Sequence, residues 1–148
     1  MKPTQPPIGL DLARTAKLVG RAFDDRLAEV GGSVPQWLVL VSLATGRPQI
    51  QRELAGAVGI EGPTLTHHLD RMEKAGLVTR TRDPENRRVQ RVALTPEGET
   101  HFHLLREAVL AFDAELRQGL DEGEVQRLRG LLGRLRANVG HDTEEVLS

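Results

Sequence analysis

At 148 residues the chain is one domain's worth of sequence, long enough to bury a core without staples. It contains no cysteine, which excludes disulfides, thiolate nucleophiles, cysteine-ligated zinc and thiol-based redox sensing. Hydrophobic residues at 39% and charged residues at 28% describe a globular chain, and its longest apolar run, residues 37–41, is too short to span a bilayer. The opening MKPTQPPIG has one lysine and no apolar stretch, so no secretory signal and no membrane association are expected, and a cytoplasmic location is.

Seven proline-rich, polar residues form an arm. From Leu12 the apolar residues Leu12, Ala16, Val19, Phe23, Leu27 and Val30 recur every three or four positions, the stripe of a helix that Gly31-Gly32 ends. Ser33 with Gln36 reads as a capping box opening a second helix through Trp37, Leu40, Val41 and Leu43, which Gly46-Arg47-Pro48 closes. A short helix follows, with Leu54, Ala55 and Val58 on its buried side. Gly59-Ile60 is a tight turn, and Pro63 suits a first helical turn, where its missing N–H is tolerated. The next helix runs from about 64 to 75, buries Leu65, Leu69 and Met72, and is capped by Gly76.

The pattern then changes. Residues 77–82 and 89–95 are rich in Val and Thr and too short for independent helices, and Asp83-Pro84-Glu85-Asn86 between them is a turn sequence. A β-hairpin with an arginine-loaded tip is predicted. Thr95-Pro96-Glu97 supplies an N-cap, a proline and an acid for a helix carrying Phe102, Leu105, Val109, Phe112 and Leu116. Asp121 with Glu124 makes a second capping box, and the last helix repeats the seam with Val125, Leu128, Leu132, Leu135 and Val139. These two seams pack either on each other and on the first helix within one chain, or across a homodimer; the dimer is the favoured reading.

The net charge of −1 conceals an asymmetry. Residues 47–95 carry nine basic and six acidic groups, whereas residues 96–148 carry six basic against eleven acidic. Arg80, Arg82, Arg87, Arg88 and Arg91 crowd into the hairpin, a basic band that suggests a surface facing a polyanion. Helix, tight turn, helix and basic hairpin is the order of a winged helix-turn-helix. The expected fold is therefore mainly α with a small β-hairpin wing (α+β), a winged helix-turn-helix plus a helical dimerisation region. Leu65, Leu69 and Met72 hold one face of the second helix to the core, which leaves Thr64, Thr66, His67, His68 and Arg71 to meet base edges in a major groove. His67 and His68 point about 100° apart, so one is expected outward and the other partly packed. Arg87 and Arg88 at the hairpin tip suit a minor groove or a phosphate.

From Gln49 to Gly98 the chain resembles the MarR family of bacterial regulators, especially its SlyA-like branch. The resemblance rests on Gln49-Ile50-Gln51-Arg52-Glu53-Leu54-Ala55, on Gly59-Ile60-Glu61-Gly62-Pro63-Thr64-Leu65, on Leu69-Asp70-Arg71-Met72-Glu73 and on Gly76-Leu77-Val78-Thr79-Arg80. Its most specific part is the wing, Asp83-Pro84-Glu85-Asn86-Arg87-Arg88 followed by Arg91-Val92-Ala93-Leu94-Thr95-Pro96-Glu97-Gly98. It implies a homodimer reading a palindromic double-stranded DNA operator, with residues 8–46 and 96–148 as the dimerisation region and 47–95 as the DNA-binding region. The family's recognition-helix contacts fall here on Pro63, Thr64, Thr66, His67 and Arg71, and its wing contacts on Arg87 and Arg88. Two positions depart from the pattern: His67 stands where related chains often have arginine, and Asn86 where they usually have aspartate. A repressor released by a small aromatic or phenolic effector is the implied mechanism.

Trp37 and Phe23 carry two readings, core packing between the helical and winged regions or the lining of that effector's cleft. No metal is expected, because no two histidines stand four apart on a helix and His101 and His103 turn to nearly opposite sides. No Walker loop, G-x-S-x-G or H-E-x-x-H appears, so neither an enzyme nor a cofactor is expected. The alternative from another class is a winged-helix protein-interaction module without specific DNA binding.

Overall fold

The computed structural model describes residues 4–46 and 50–140. The first three residues of the arm, the Arg47-Pro48 helix stop and Gln49 lie outside the described residues. The element order is α1 (Ile8–Glu29), α2 (Val34–Ala44), α3 (Gln51–Val58), α4 (Gly62–Lys74), β1 (Val78–Arg82), β2 (Gln90–Leu94), α5 (Pro96–Leu116) and α6 (Glu122–Asn138). The two strands pair antiparallel from Val78↔Leu94 to Arg82↔Gln90, and Ile50 adds a single bridge to Arg91 that ties the start of α3 to the hairpin. This is the mainly helical, winged architecture that the sequence predicts.

The core gathers the apolar faces of all these elements except α6. Leu27, Val39, Leu40, Leu54, Leu65, Leu69, Val92 and Leu105 are fully buried, and α2 lies at the centre, packed against α1, α3, α4, α5 and the hairpin. At the head of α5, Thr95 Oγ1 accepts from the Gly98 N–H at 3.0 Å, the expected cap. Gly98 itself is forced by packing: a Cβ there would lie 1.9 Å from the Leu77 carbonyl oxygen. The α6 capping box is complete, with Glu124 N–H to Asp121 Oδ1 at 2.8 Å and Asp121 N–H to Glu124 Oε1 at 3.1 Å.

Several expectations shift. The α2 capping box is half made: Ser33 Oγ accepts from the Gln36 N–H at 3.3 Å, but Gln36 Oε1 turns to His101 Nε2 on α5 at 2.8 Å. A half-buried imidazole needs that acceptor more than the exposed Ser33 N–H, which water can satisfy. Helix α4 starts at Gly62, two residues early, because Pro63 sits inside its first turn and has no N–H to lose. Helix α1 starts at Ile8, and its stripe divides: Leu27 is buried and Phe23 half-buried, while Leu12 and Ala16 are exposed. Among the described residues, the later part of α1 is the part that meets the rest of the chain, through Phe23 on Phe112 and Arg26 on Glu115. The terminal seam divides too: Leu105, Phe112 and Val125 are buried, while Leu116 is 50% and Leu128 48% exposed. No single helix among the described residues is long and apolar enough to cross a membrane.

Candidate nucleic-acid interface

Leu65, Leu69 and Met72 anchor α4 to the core at 3% exposure or less. With about 100° between successive residues, that anchoring throws Pro63, Thr64, His67 and Arg71 to solvent, and all four are exposed. Thr66 is exposed as well, on the flank toward α3, but its hydroxyl is engaged: it donates to the Gly62 carbonyl at 3.0 Å and accepts from Gln51 Nε2 at 2.9 Å. His68 lies half-buried on the other flank, its ring 6.0 Å from that of His67. Burial, then the nearby His67 and Arg71, hold His68 below the ordinary imidazole range, which favours its neutral form. Of the adjacent pair, His67 is the outward one.

The structure sorts the five hairpin arginines into two groups. Arg80 reaches back from β1 to α4, where Nη2 pairs with Asp70 and, at 3.2 Å, with Glu73, while its backbone N–H donates to Glu73 Oε2 at 3.1 Å. Burial works against its charge, but the bonds to Glu73 and Asp70 outweigh burial and raise its pKa. Arg91 donates to Asp83 Oδ2 at 3.0 Å. The other Asp83 oxygen accepts from the Glu85 N–H at 2.9 Å, and that bond, with Arg91 behind it, keeps the carboxyl below its usual range. Arg82, Arg87 and Arg88 are exposed and make no ion pair among the described residues. Asn86 accepts from the Arg88 backbone N–H at 3.2 Å and leaves the guanidinium alone.

An open cleft of about 750 Å³ separates α3 and α4 from the wing, with Gln51, Arg52, Thr66, Arg80, Asn86 and Arg88 on its walls. Gln51 Oε1 and Arg80 Nε are buried there without a hydrogen-bond partner among the described residues. Sequence reasoning passed over Gln51 and Arg52, whose only signal was their place in the first turn of the first helix of the motif. Arg82 was visible only as part of the basic band. Phe23 and Trp37 lie elsewhere: Phe23 stacks on Phe112 at 5.4 Å and Trp37 on Phe102 at 5.5 Å, both joining an earlier helix to α5. His101 is bound to Gln36 and His103 is exposed, and no cluster of three or more metal-ligating side chains occurs among the described residues.

A helix anchored on one side and polar on the other, beside an arginine-tipped hairpin, defines a winged helix-turn-helix protein. A model of the MarR family matches residues 33–89. The transcriptional regulator PA3341 is 36% identical over 90% of this chain and 98% of its own, with a TM-score of 0.74. A MarR-family transcriptional regulator from Rhodococcus sp. RHA1 is 30% identical, covering 86% of this chain and 91% of its own, with a TM-score of 0.73. The chain belongs to the MarR family. The transcriptional repressor CouR, bound to a 23-mer DNA duplex, is 27% identical over 88% of this chain and 92% of its own, with a TM-score of 0.80. CouR from Rhodococcus jostii RHA1 bound to p-coumaroyl-CoA is 28% identical over 91% and 95%, with a TM-score of 0.72.

Proposed function

We propose that the chain is a sequence-specific DNA-binding regulator that works as a homodimer on an inverted-repeat operator, acting as a repressor in the cytoplasm. One observation carries this reading. The outward polar face of α4 stands beside three exposed arginines that make no ion pair among the described residues, on a wing that Arg80 clamps to that same helix through Asp70 and Glu73. In this reading residues 47–95 engage DNA, and residues 8–46 and 96–148 hold the two copies together. The α4 helices enter successive major grooves about 34–36 Å apart. Pro63, Thr64, Thr66, His67, His68 and Arg71 meet bases and phosphates, while Arg87 and Arg88 enter flanking minor grooves. The DNA-bound structure of CouR supports the partner, and its complex with p-coumaroyl-CoA supports a small aromatic or phenolic effector. We assign Phe23 and Trp37 to that effector's surroundings. An effector releases DNA only by preferring a different spacing of the two α4 helices.

The test is selection of sheared genomic DNA on the purified full-length protein, followed by sequencing. Enrichment of an inverted repeat with half-sites about one turn apart is the expected result. A folded dimer that enriches nothing would make this a protein-interaction module and its wing arginines solvated charge. Trp37, the only tryptophan, then gives the effector a direct readout, because a ligand stacking near it changes intrinsic fluorescence.

A further inference from the structure

We propose that Gln51 sets the base preference of Thr66 without itself reading DNA: it holds the Thr66 hydroxyl as an acceptor-only group, so the operator base facing Thr66 presents an exocyclic amino group in the major groove, as adenine and cytosine do. The proposal rests on the reading of α4 as the helix that enters the major groove. A hydroxyl has one proton and two lone pairs. The Thr66 proton goes to the Gly62 carbonyl one turn back, at 3.0 Å, and one lone pair takes the Gln51 Nε2–H at 2.9 Å. What this exposed side chain still offers is a single lone pair. Turning the Gln51 amide over does not change the result, because the amide oxygen would then take the proton itself.

In the major groove adenine N6 and cytosine N4 donate, whereas guanine O6 and N7 and thymine O4 accept. A hydroxyl reduced to a lone pair bonds the first two and opposes the others lone pair to lone pair. The Gln51 N–H fixes Oγ1 in the rotamer that gives its proton to Gly62; without Gln51 the side chain can rotate Oγ1 away from Gly62, and the freed hydroxyl serves either class. The amide lies in the joint between α3 and α4, where its Nε2 bond to Thr66 is its one hydrogen bond among the described residues and its Oε1 is buried. Thr66 is thus the reading residue and Gln51 a positioning residue one helix away.

Selection from a randomised operator library, with full-length wild type, Gln51→Leu, Gln51→Glu, Thr66→Val and Thr66→Ser in parallel, tests this. Wild type is expected to show a half-site position where adenine or cytosine exceeds guanine or thymine by about fivefold. Thr66→Ser keeps that preference and Thr66→Val erases it at that position alone. Gln51→Leu brings it to within about twofold, with every other position unchanged. Gln51→Glu keeps it, because a carboxylate can only draw the same proton, and this variant carries the test if Gln51→Leu does not fold. An inverted repeat in which Thr66→Val alters no position, or in which guanine or thymine is preferred there, overturns the proposal. So does a Gln51→Leu profile identical to wild type, or a Gln51→Glu profile that loses the preference. A wild type that enriches no sequence overturns the DNA reading itself and is recognisable because every position is flat.

Discussion

Charge counting treats Arg80, Arg82, Arg87, Arg88 and Arg91 alike, but their neighbours do not. Arg80 and Arg91 are held by Asp70, Glu73 and Asp83, while Arg82, Arg87 and Arg88 have no acid in reach among the described residues. Only the second group has charge available for phosphate. Arg88→Ala should therefore weaken DNA binding across sequences and reduce the slope of log affinity against log salt by about 0.9, measured by fluorescence anisotropy in a salt series. An unchanged slope would remove Arg88 from the interface. The position of Arg87 and Arg88 beside a turn sequence made them legible in the chain. The capture of Arg80 was not, because it requires knowing that β1 crosses the acidic edge of α4, ten residues back from Arg80 to Asp70. Gly98 teaches the same lesson. In the sequence it is one more residue of a helix start, but in space its Cα faces the Leu77 carbonyl with no room for a methyl group. Gly98→Ala should cost about 1–3 kcal/mol, read as a lowered thermal midpoint with unchanged helix content at low temperature. A midpoint equal to wild type would show that the β1–α5 corner is looser than this.

Elements with a strong apolar period and a local cap were readable in order: α2 through α6 all occur, and Thr95 and Asp121 cap where their spacing says. What local pattern could not give was competition between a cap and a distant partner. Gln36 abandons Ser33 for His101, and that contact ties α2 to α5. The burial that accompanies it holds the His101 imidazole below its ordinary range, and burial does the same first for His68. The folded chain thus binds these protons more weakly than the unfolded chain. Stability from this source is fully present above the unfolded value, about 6.5, and is lost as pH falls from there through the depressed folded values. The thermal midpoint should decline between about pH 7.5 and pH 5.5, and His101→Gln, which keeps a donor toward Gln36, should make the decline shallower. A decline as steep in the variant would assign the loss to other groups. The Arg80 clamp works at this scale too, since it fixes the wing's angle to α4. Arg80 reaches both Asp70 and Glu73 through one nitrogen, Nη2, and Arg80→Lys keeps the charge on a shorter side chain that falls short of that position. It should weaken DNA binding while leaving the secondary structure by circular dichroism intact. Wild-type affinity in Arg80→Lys would mean that the hairpin alone sets the wing.

For the whole molecule, the telling feature is apolar surface that the chain does not cover. Ile8 is 68% exposed, Leu18 70%, Leu110 52%, Leu128 48% and Leu131 47%, spread over α1, α5 and α6. Helix α6 packs substantially on no other element among the described residues, and only Val125 in its first turn is buried. A lone helix of 17 residues is marginal in water even with a complete capping box, so its stability has to come from packing. Within the described chain that packing reaches little beyond Val125, and apolar patches spread over three helices mark an association surface. The flanks of α6 carry Arg127, Arg129, Arg134 and Arg136, which keep the apolar stripe bordered by charge, as an interface helix requires. This is the physical ground for choosing the dimer over intramolecular packing of the two terminal seams. A charge at the centre of the stripe should be decisive. Leu131→Glu would bury a carboxylate with no partner if two copies meet there, so the variant should sediment at half the wild-type mass at micromolar concentration. Its α6 should lose helical signal, and its DNA affinity should fall sharply, because a monomer presents one α4 where the proposed inverted repeat takes two. Wild type, in turn, should melt at a temperature that rises with protein concentration, as folding coupled to association demands. A concentration-independent midpoint, together with a Leu131→Glu variant that sediments like wild type, would place the two copies' contact away from α6 and leave its exposed leucines without a structural role.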